Sequence, residues 1–175
     1  MLTGCPRYAG SMGRFSLPDE APKGLDSPVT TVAMKYMARA QTEVFKLTGG
    51  RVGSRWRVGA GFRKPVPTLL LEHRGRKSGN IYTTPLLYME SGDDLVIVGS
   101  QGGLPRHPQW FSNLKAHPET FVRLKGRGVL PVMARVASSA ERAELWPRLV
   151  NLYADFAKYQ AWTDREIPVV VLSPR

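Results

Sequence analysis

The hydrophobic and polar residues of this chain follow two different spacings. Between Ser27 and Gly50, apolar residues recur at helical spacing; Pro28 suits the first turn of a helix, and Gly49 and Gly50 suit its end. Basic residues are interleaved with these apolar positions. The pattern predicts a helix over about 28–47, which either lies against the core with its basic residues in water or rests on a membrane surface.

Beyond residue 67 the apolar residues form short runs that have the length and composition of β-strands. The runs cover about 68–72, 80–89, 95–98, 120–124, 129–136 and 167–172. The stretches 91–94 and 125–128 between them have the composition of tight turns. Pro131 predicts that its strand lies at an edge of the sheet, because proline cannot donate to a ladder.

Helical segments separate these strands. The first begins near Pro108. The second begins at the capping box formed by Ser138 and Glu141, and Pro147 predicts that it is interrupted or re-aimed there before a further helical run. Helices around several closely spaced strands predict a mainly β fold, an antiparallel barrel with flanking α-helices.

The chain of 175 residues has the length of one domain with its own core. We expect a flexible tail over 1–26 and a single domain over 27–175 that includes the first helix. The tail lacks the apolar segment of a secretory signal, and no apolar run approaches the roughly 20 residues that span a bilayer. The expected location is the cytoplasm, with membrane association through the first helix as the alternative. Cys5 stands alone, which excludes a disulfide framework.

The charge balance favours anionic partners. Lys and Arg number 25 against 14 Asp and Glu, which gives a formal net charge of +11. Phosphates, nucleic acid and acidic membrane surfaces all satisfy this preference.

The densest candidate site is the segment RGRKSG at 74–79. Its two glycines allow a tight backbone turn, and its cations and hydroxyl suit a phosphate. It is not a P-loop, because the glycine spacing differs and a strand is predicted to follow. The alternative is a basic hairpin turn exposed to water.

Three following segments could line a planar ligand. The strand at 82–87 carries hydroxyls and a proline, the strand end at 98–103 is rich in glycine, and the helix at 109–114 places Trp110 and Asn113 on one face. Each has a structural alternative: an ordinary strand, an ordinary turn and a core tryptophan with a capping amide. The three histidines are too scattered for a metal motif, and no catalytic triad is recognisable.

These segments together resemble a known family. The run GRKSGNIYTTPLLY is followed by VGSQGGLPRHPQWFSNLKAHPE and, near the end, by YADFAKYQAWTDREIPVVVLSP. In this order and spacing, over about 48–174, they resemble the deazaflavin (F420)-dependent nitroreductase family.

The resemblance implies a split β-barrel like that of FMN-binding proteins, and coenzyme F420 as cofactor. The implied reaction passes a hydride from the reduced deazaflavin to a quinone, a nitro-aromatic compound or a similar acceptor, without a metal. The implied cofactor-binding residues are Arg76, Lys77, Ser78, Tyr82, Thr83, Thr84, Pro85, Leu86, Leu87, Val98, Gly99, Ser100, Gln101, Gln109, Trp110, Phe111, Ser112, Asn113 and Phe156.

The residues that would contact the hydride acceptor are less well defined than those implied for the cofactor. The family places tyrosines of its C-terminal helix over the acceptor, and this chain has Tyr153 and Tyr159 there but Phe156 between them. A phenylalanine stacks but cannot donate a hydrogen bond, so nitroimidazole activation does not follow from the resemblance. We expect Ser100, Tyr153 or Tyr159 to donate a proton or hydrogen bond to the acceptor.

Three other interpretations remain open from the sequence. FMN could occupy the same barrel, and a protein of this type could bind its cofactor without turnover. A basic domain with exposed aromatic residues could also bind nucleic acid, although we expect no nucleic-acid partner. Pairing of two copies is expected only by analogy with other barrels of this type.

Overall fold

The computed structural model describes residues 17–18, 20–22, 24, 27–58, 60 and 64–175. Most of the predicted tail, including Cys5, lies outside these ranges. Four α-helices are present in the described residues: α1 (Pro28–Leu47), α2 (Gln109–Ala116), α3 (Ser139–Leu152) and α4 (Asp155–Ala161). The strands are β1 (Arg55–Trp56), β2 (Val66–Arg74), β3 (Ile81–Ser91), β4 (Asp94–Val98), β5 (Glu119–Leu124), β6 (Gly128–Val136) and β7 (Val169–Pro174). A short 3-10 helix covers Gln101–Gly103.

The strands form a closed antiparallel barrel. The order is β2-β3-β4-β7-β6-β5, and β5 returns to pair with β2. The two-residue strand β1 adds to the outside of β2. The predicted antiparallel barrel with flanking helices is confirmed.

The core has two parts, one on each face of the barrel wall. Side chains that point inward, such as Leu69, Leu95 and Ile97, pack with Trp110 and Leu114 of α2. Alternate residues of the same strands point outward and pack against α3 and α4. Strand β4 is therefore buried on both faces, as its continuous apolar run predicts.

The predicted turns and caps are present. Gly49 and Gly50, both with positive φ, follow α1. The Ser138 hydroxyl accepts the N–H of Glu141, and the Glu141 carboxylate accepts the N–H of Ser138. This capping box confirms the predicted start of α3.

Two predictions drawn from proline are wrong. Pro131 lies in β6, which pairs with β5 on one side and β7 on the other. Its carbonyl accepts the N–H of Arg175, so its nitrogen points the same way, and the one bond that its missing N–H forfeits lies just beyond the end of β7.

Pro147 does not interrupt α3, which continues to Leu152. Pro147 and Ala143, whose carbonyl would have received the missing N–H, are both exposed, so water can satisfy that carbonyl. The break comes instead at Tyr153 and Ala154, before α4. The last strand begins at Val169, because the N–H of Ile167 is bound to the side chain of Gln160.

Candidate functional site

A cavity of about 330 Å³ lies between α1, one rim of the barrel and α4. It collects many residues that the sequence predicted for a site. Those that line it are Thr84, Pro85, Leu86, Leu87, Val98, Ser100, Gln101, Trp110, Tyr153, Phe156 and Tyr159. The barrel thus brings the middle of β3 and the end of β4 together with two helices far apart in sequence.

Sequence reasoning missed part of this lining. Met34 and Gln41 come from α1, Trp56 from β1 and Thr68 from β2. The hydrophobic pattern of α1 predicts a helix but does not indicate which face of the helix contacts the barrel. The resemblance began at about residue 48 and so did not include α1.

The bend after β4 carries unusual backbone geometry. Gln101 has a φ of 48°, a left-handed conformation that is uncommon for a residue other than glycine. Its side-chain Oε1 is buried without a hydrogen-bond partner, as is Oγ1 of Thr68. Both residues line the cavity. Buried polar atoms are rarely left unpaired, so two of them at one cavity indicate a place for a polar ligand.

Arg165 holds this bend in place and was not predicted. Its guanidinium donates to the carbonyls of Leu104 (2.9 Å), Gly99 (3.2 Å) and Ser100 (2.8 Å). Gly99 also packs so closely on Pro168 that a Cβ would lie 2.7 Å from the proline ring. The glycine at this position serves packing between β4 and the start of β7.

A polar network runs from the basic loop, the segment 75–80 between β2 and β3, to the cavity through the buried side chains of Asn113 and His73. We use the term for Arg76, Gln109, Asn113, His73 and Thr84. Arg76 donates its backbone N–H (3.2 Å) and its Nη1 (3.2 Å) to Oδ1 of Asn113, and Nη1 also donates to Gln109 (2.9 Å). Asn113 Nδ2 lies 2.9 Å from His73 Nδ1, and His73 Nε2 lies 3.0 Å from the hydroxyl of Thr84.

The protonation state of His73 follows from its burial. The residue is 5% exposed, and burial lowers its pKa from the ordinary value of 6.5 to about 4. His73 is therefore neutral at neutral pH. Its position directly before the RGRKSG segment, on a strand, was the signal that could have identified it.

The basic loop between β2 and β3 is a tight turn. The N–H of Gly79 donates to the carbonyl of Gly75 (2.7 Å), and the N–H of Gly75 donates to Asn80 (2.7 Å). A Cβ on Gly75 would lie 2.6 Å from the hydroxyl oxygen of Ser78 and 2.8 Å from the ring of Tyr82, so a larger residue would displace these two side chains. Arg76 is held against α2 by hydrogen bonds to Gln109 and Asn113, whereas no side-chain hydrogen bond or ion pair is seen for the exposed Lys77 within the described part of the chain.

An aromatic wall closes the opposite side of the cavity. It consists of Tyr153, Phe156, Tyr159 and Trp56. The Phe156 ring lies 5.1 Å from that of Tyr153 and 6.5 Å from that of Tyr159, in edge-to-face contacts. Trp56 Nε1 donates to the hydroxyl of Tyr153 (3.3 Å). Burial, and then the neighbouring Tyr159, raise the pKa of Tyr153 far above its usual range.

Asp155 fastens the aromatic wall to the segment that follows β1. The residue is 2% exposed, and its carboxylate accepts the N–H of Ala60 at 2.8 Å. Sequence reasoning missed it because the motif around it was interpreted through its aromatic residues.

Some predicted cofactor residues lie away from the cavity lining. Phe111 belongs to the barrel core, and Gly99 packs on Pro168. Tyr82 is exposed beside the basic loop, where its hydroxyl lies 3.2 Å from that of Ser78. Thr83 and Ser112 are half-buried outside the lining. The binding role of every residue in the predicted set stays a prediction. No group of His, Cys, Asp or Glu within the described residues could hold a metal ion.

Comparison with known proteins identifies the family. A family model described as F420H(2)-dependent quinone reductase matches residues 37–174. The chain belongs to this family. It is accordingly an oxidoreductase, and coenzyme F420 is its cofactor. The resemblance drawn from the motifs is confirmed.

Individual relatives agree with this assignment. Rv3178 of Mycobacterium tuberculosis, whose name carries the same activity, is 55% identical over 119 residues, which is 68% of this chain and 99% of that protein. The F420H(2)-dependent quinone reductase Rv1261c of the same organism is 36% identical over 144 residues, covering 79% of this chain and 91% of the relative.

Solved structures show the same fold. A structure of an F420-H2 dependent reductase (FDR-A) is 39% identical with a TM-score of 0.56, over 61% of this chain and 94% of the other. A second, described as a domain-swapped dimer, is 34% identical with a TM-score of 0.57, over 84% of this chain and 100% of the other.

The residues present fit coenzyme F420. The cavity offers an aromatic and apolar lining for a ring system, together with the unpaired polar atoms of Thr68 and Gln101. The basic loop, connected to the cavity through the polar network, offers a cation for a phosphate. The net charge of +11 suits a cofactor with an anionic tail.

Proposed function

We propose that this chain transfers a hydride from reduced F420 to a quinone, with the ring system seated in the cavity and the acceptor against the aromatic wall. The observation that carries the proposal is the pair of unpaired polar atoms, on Thr68 and Gln101, in a cavity lined by five aromatic side chains. A planar ligand with polar edges satisfies both features.

Different parts of the site hold different parts of the cofactor in this proposal. Lys77 and Ser78 of the basic loop bind the phosphate, and Arg76 braces the loop against α2. Trp110 and the bend at 98–101 seat the ring system. Arg165 keeps that bend fixed, so little ordering is needed when the ligand binds.

The protein contributes orientation and exclusion of water. When bound, the reduced deazaflavin supplies the hydride, and a quinone that accepts a hydride and a proton becomes a hydroquinone. In this proposal Ser100, Tyr153 or Tyr159 donates a hydrogen bond to the acceptor. The Tyr153 hydroxyl already accepts from Trp56 and donates to the carbonyl of Val58 (3.4 Å), whereas the Ser100 side chain makes no hydrogen bond within the described part of the chain.

The experiment is a titration of the purified protein with reduced F420, followed by addition of menadione. Tryptophan fluorescence reports binding, because Trp56 and Trp110 line the cavity. Cofactor absorbance reports oxidation. We expect Lys77→Ala to weaken binding about 10- to 100-fold, the usual loss for a charge-assisted contact. Lys125→Ala, an exposed lysine in the β5–β6 turn, is the matched control.

Two results would contradict the proposal. Absence of menadione-dependent oxidation by the wild-type protein would refute the reductase function. Equal losses in Lys77→Ala and Lys125→Ala would refute the phosphate assignment alone, because they would reflect net charge rather than a specific contact.

A membrane contact is also proposed for α1. Val29, Val32, Tyr36 and Leu47 lie along an exposed stripe of this helix, and its other exposed positions include Lys35 and Arg39. This composition favours an anionic lipid surface, which is also where a lipid-soluble quinone resides. No helix among the described residues is long and apolar enough to span a membrane. Sedimentation with anionic but not neutral vesicles, lost in Val32→Asp, is the expected result.

We further propose that the chain forms a homodimer, by analogy with the related domain-swapped dimer. Light scattering coupled to size exclusion tests this directly. A mass near 19.4 kDa at all concentrations would contradict it.

A further inference from the structure

We propose that His73 is a positioning residue that turns the hydroxyl of Thr84 into a hydrogen-bond donor directed at the ligand in the cavity. The inference rests on the proposed occupancy of the cavity by F420. Its starting point is the order of hydrogen-bond donors and acceptors along the polar network. This order permits only one orientation of the Asn113 amide and one tautomer of His73.

The amide of Asn113 has a fixed orientation. Its Oδ1 faces the backbone N–H and the guanidinium of Arg76, and both of these groups can only donate. The atom they meet must therefore be the carbonyl oxygen of the amide. The NH₂ of Asn113 is consequently the group that faces His73.

The tautomer of His73 follows from the amide. Since Asn113 Nδ2 donates to Nδ1 of His73 at 2.9 Å, Nδ1 carries no proton. A neutral imidazole then carries its proton on Nε2, and burial keeps the imidazole neutral. The ring is held in place by Asn113 and by stacking on Tyr82, with ring centroids 5.7 Å apart.

The last hydrogen bond of the polar network ends at Thr84. The Nε2–H of His73 donates to the hydroxyl oxygen of Thr84 at 3.0 Å, which occupies one acceptor site of that oxygen. The hydroxyl proton remains unused, because Thr84 has no other side-chain hydrogen bond among the described residues. Thr84 lines the cavity, so its proton is available to an acceptor atom there, such as a carbonyl oxygen of the deazaflavin ring.

A serine or threonine hydroxyl can ordinarily either donate or accept. The network removes this choice at Thr84 and selects for ligands that present an acceptor. His73 acts through Thr84 and does not itself touch the ligand.

The first test is made on the free wild-type protein. In ¹⁵N-histidine NMR, His73→Asn identifies the signals of His73 among the three histidines. We expect an unprotonated Nδ1 and a protonated Nε2 at neutral pH. The opposite tautomer, or a protonated ring, would overturn the proposal.

The second test measures F420 binding by tryptophan fluorescence in a double-mutant cycle. Thr84→Val removes the hydroxyl but keeps the shape, and we expect it to raise Kd about three- to tenfold. His73→Asn still accepts from Asn113 but does not reach Thr84, and we expect a similar rise. The double variant should bind no more weakly than Thr84→Val.

Conservative variants complete the cycle. Thr84→Ser retains the hydroxyl and His73→Gln retains a donor near the position of Nε2, so both should recover most of the affinity. Multiplicative losses in the double variant, or wild-type affinity in both Thr84→Val and His73→Asn, would overturn the proposal. Failure of the wild type to bind F420 would instead refute the proposed function, and the NMR result would still decide the tautomer.

Discussion

The polar network and the aromatic wall face the same cavity but are held by different forces. Along the network, the Arg76 guanidinium, the Asn113 amide and the His73 ring are each oriented by hydrogen bonds of 2.9–3.2 Å. In the wall, Phe156 is held by ring contacts 5.1–6.5 Å between centroids. Hydrogen bonds specify direction, whereas apolar packing tolerates change of shape. We infer that the network side discriminates between ligands more strictly than the wall side.

The largest expected effect comes from removing the centre of the network. Asn113→Leu removes the partner of the Arg76 N–H and leaves Nδ1 of the buried His73 without its hydrogen bond. We expect the free energy of unfolding to fall by about 2–4 kcal/mol and F420 binding to weaken more than about tenfold. Urea unfolding and fluorescence titration measure the two quantities.

The matched control is Asn151→Leu, an exposed asparagine on α3. It should change the unfolding free energy by less than about 0.5 kcal/mol. Equal effects of Asn113→Leu and Asn151→Leu would show that the losses do not depend on the hydrogen bonds of the polar network.

Acid should weaken the network before it affects the wall. The pKa of His73 is about 4 in the folded protein against 6.5 as its ordinary value, so the unfolded chain binds more protons between these pH values. The contribution of a neutral His73 is fully present above pH 6.5 and is lost as the pH falls toward 4. Thermal unfolding across this range should show a slope that His73→Asn reduces.

His107 provides the control for this slope. Burial, followed by Arg165 and Lys115, also lowers the pKa of His107, so it contributes in the same direction. It lies at the surface, outside the network. If His107→Asn flattened the slope more than His73→Asn, the assignment to the network would be wrong.

A smaller effect is expected from the N-cap of α3, the helix that precedes the aromatic wall in the chain. Ser138→Ala removes the hydroxyl that caps α3, and such a loss costs about 1 kcal/mol of stability. Because the cap is remote from the network, Kd for F420 should not change. Ser138→Thr keeps a capping hydroxyl and should retain stability; an altered Kd in Ser138→Ala would show that wall and network are coupled.

The smallest effect is expected at the hydroxyl of Tyr153. Burial holds its pKa far above the usual range and so makes it a poor proton donor, and Tyr153→Phe should therefore change KM for menadione about threefold or less and leave kcat nearly unchanged. Tyr159→Phe is the comparison variant. If either variant turned over about 100-fold more slowly than the wild type, that tyrosine would be assigned the role of general acid.

The sequence predicted those features that depend on local spacing. The β4 run, the hairpin at 125–128 and the capping box of α3 follow from neighbouring residues and are present in the structure. The two prolines misled because the outcome depended on partners that local sequence does not show: the end of β7 beside Pro131 and the water-exposed face around Pro147.

The candidate site shows the same division. Its motif residues were predicted from the resemblance, and many of them line the cavity. His73, Asp155 and Arg165 were not, because their roles come from contacts with residues 40, 95 and 61–66 positions away. Asp155 and Arg165 have no local signature in a single sequence, and the position of His73 directly before RGRKSG is the only local signal among the three.

The placement of α1 has a consequence for protein engineering. Met34 and Gln41 bring this helix to the cavity, yet α1 precedes the whole barrel in the chain and takes no part in its strand ladders. Exchanging 28–47 between relatives would therefore alter one border of the cavity without changing any residue of the basic loop, the polar network or the aromatic wall. A library of such chimaeras could be screened for altered ligand selectivity on a constant barrel.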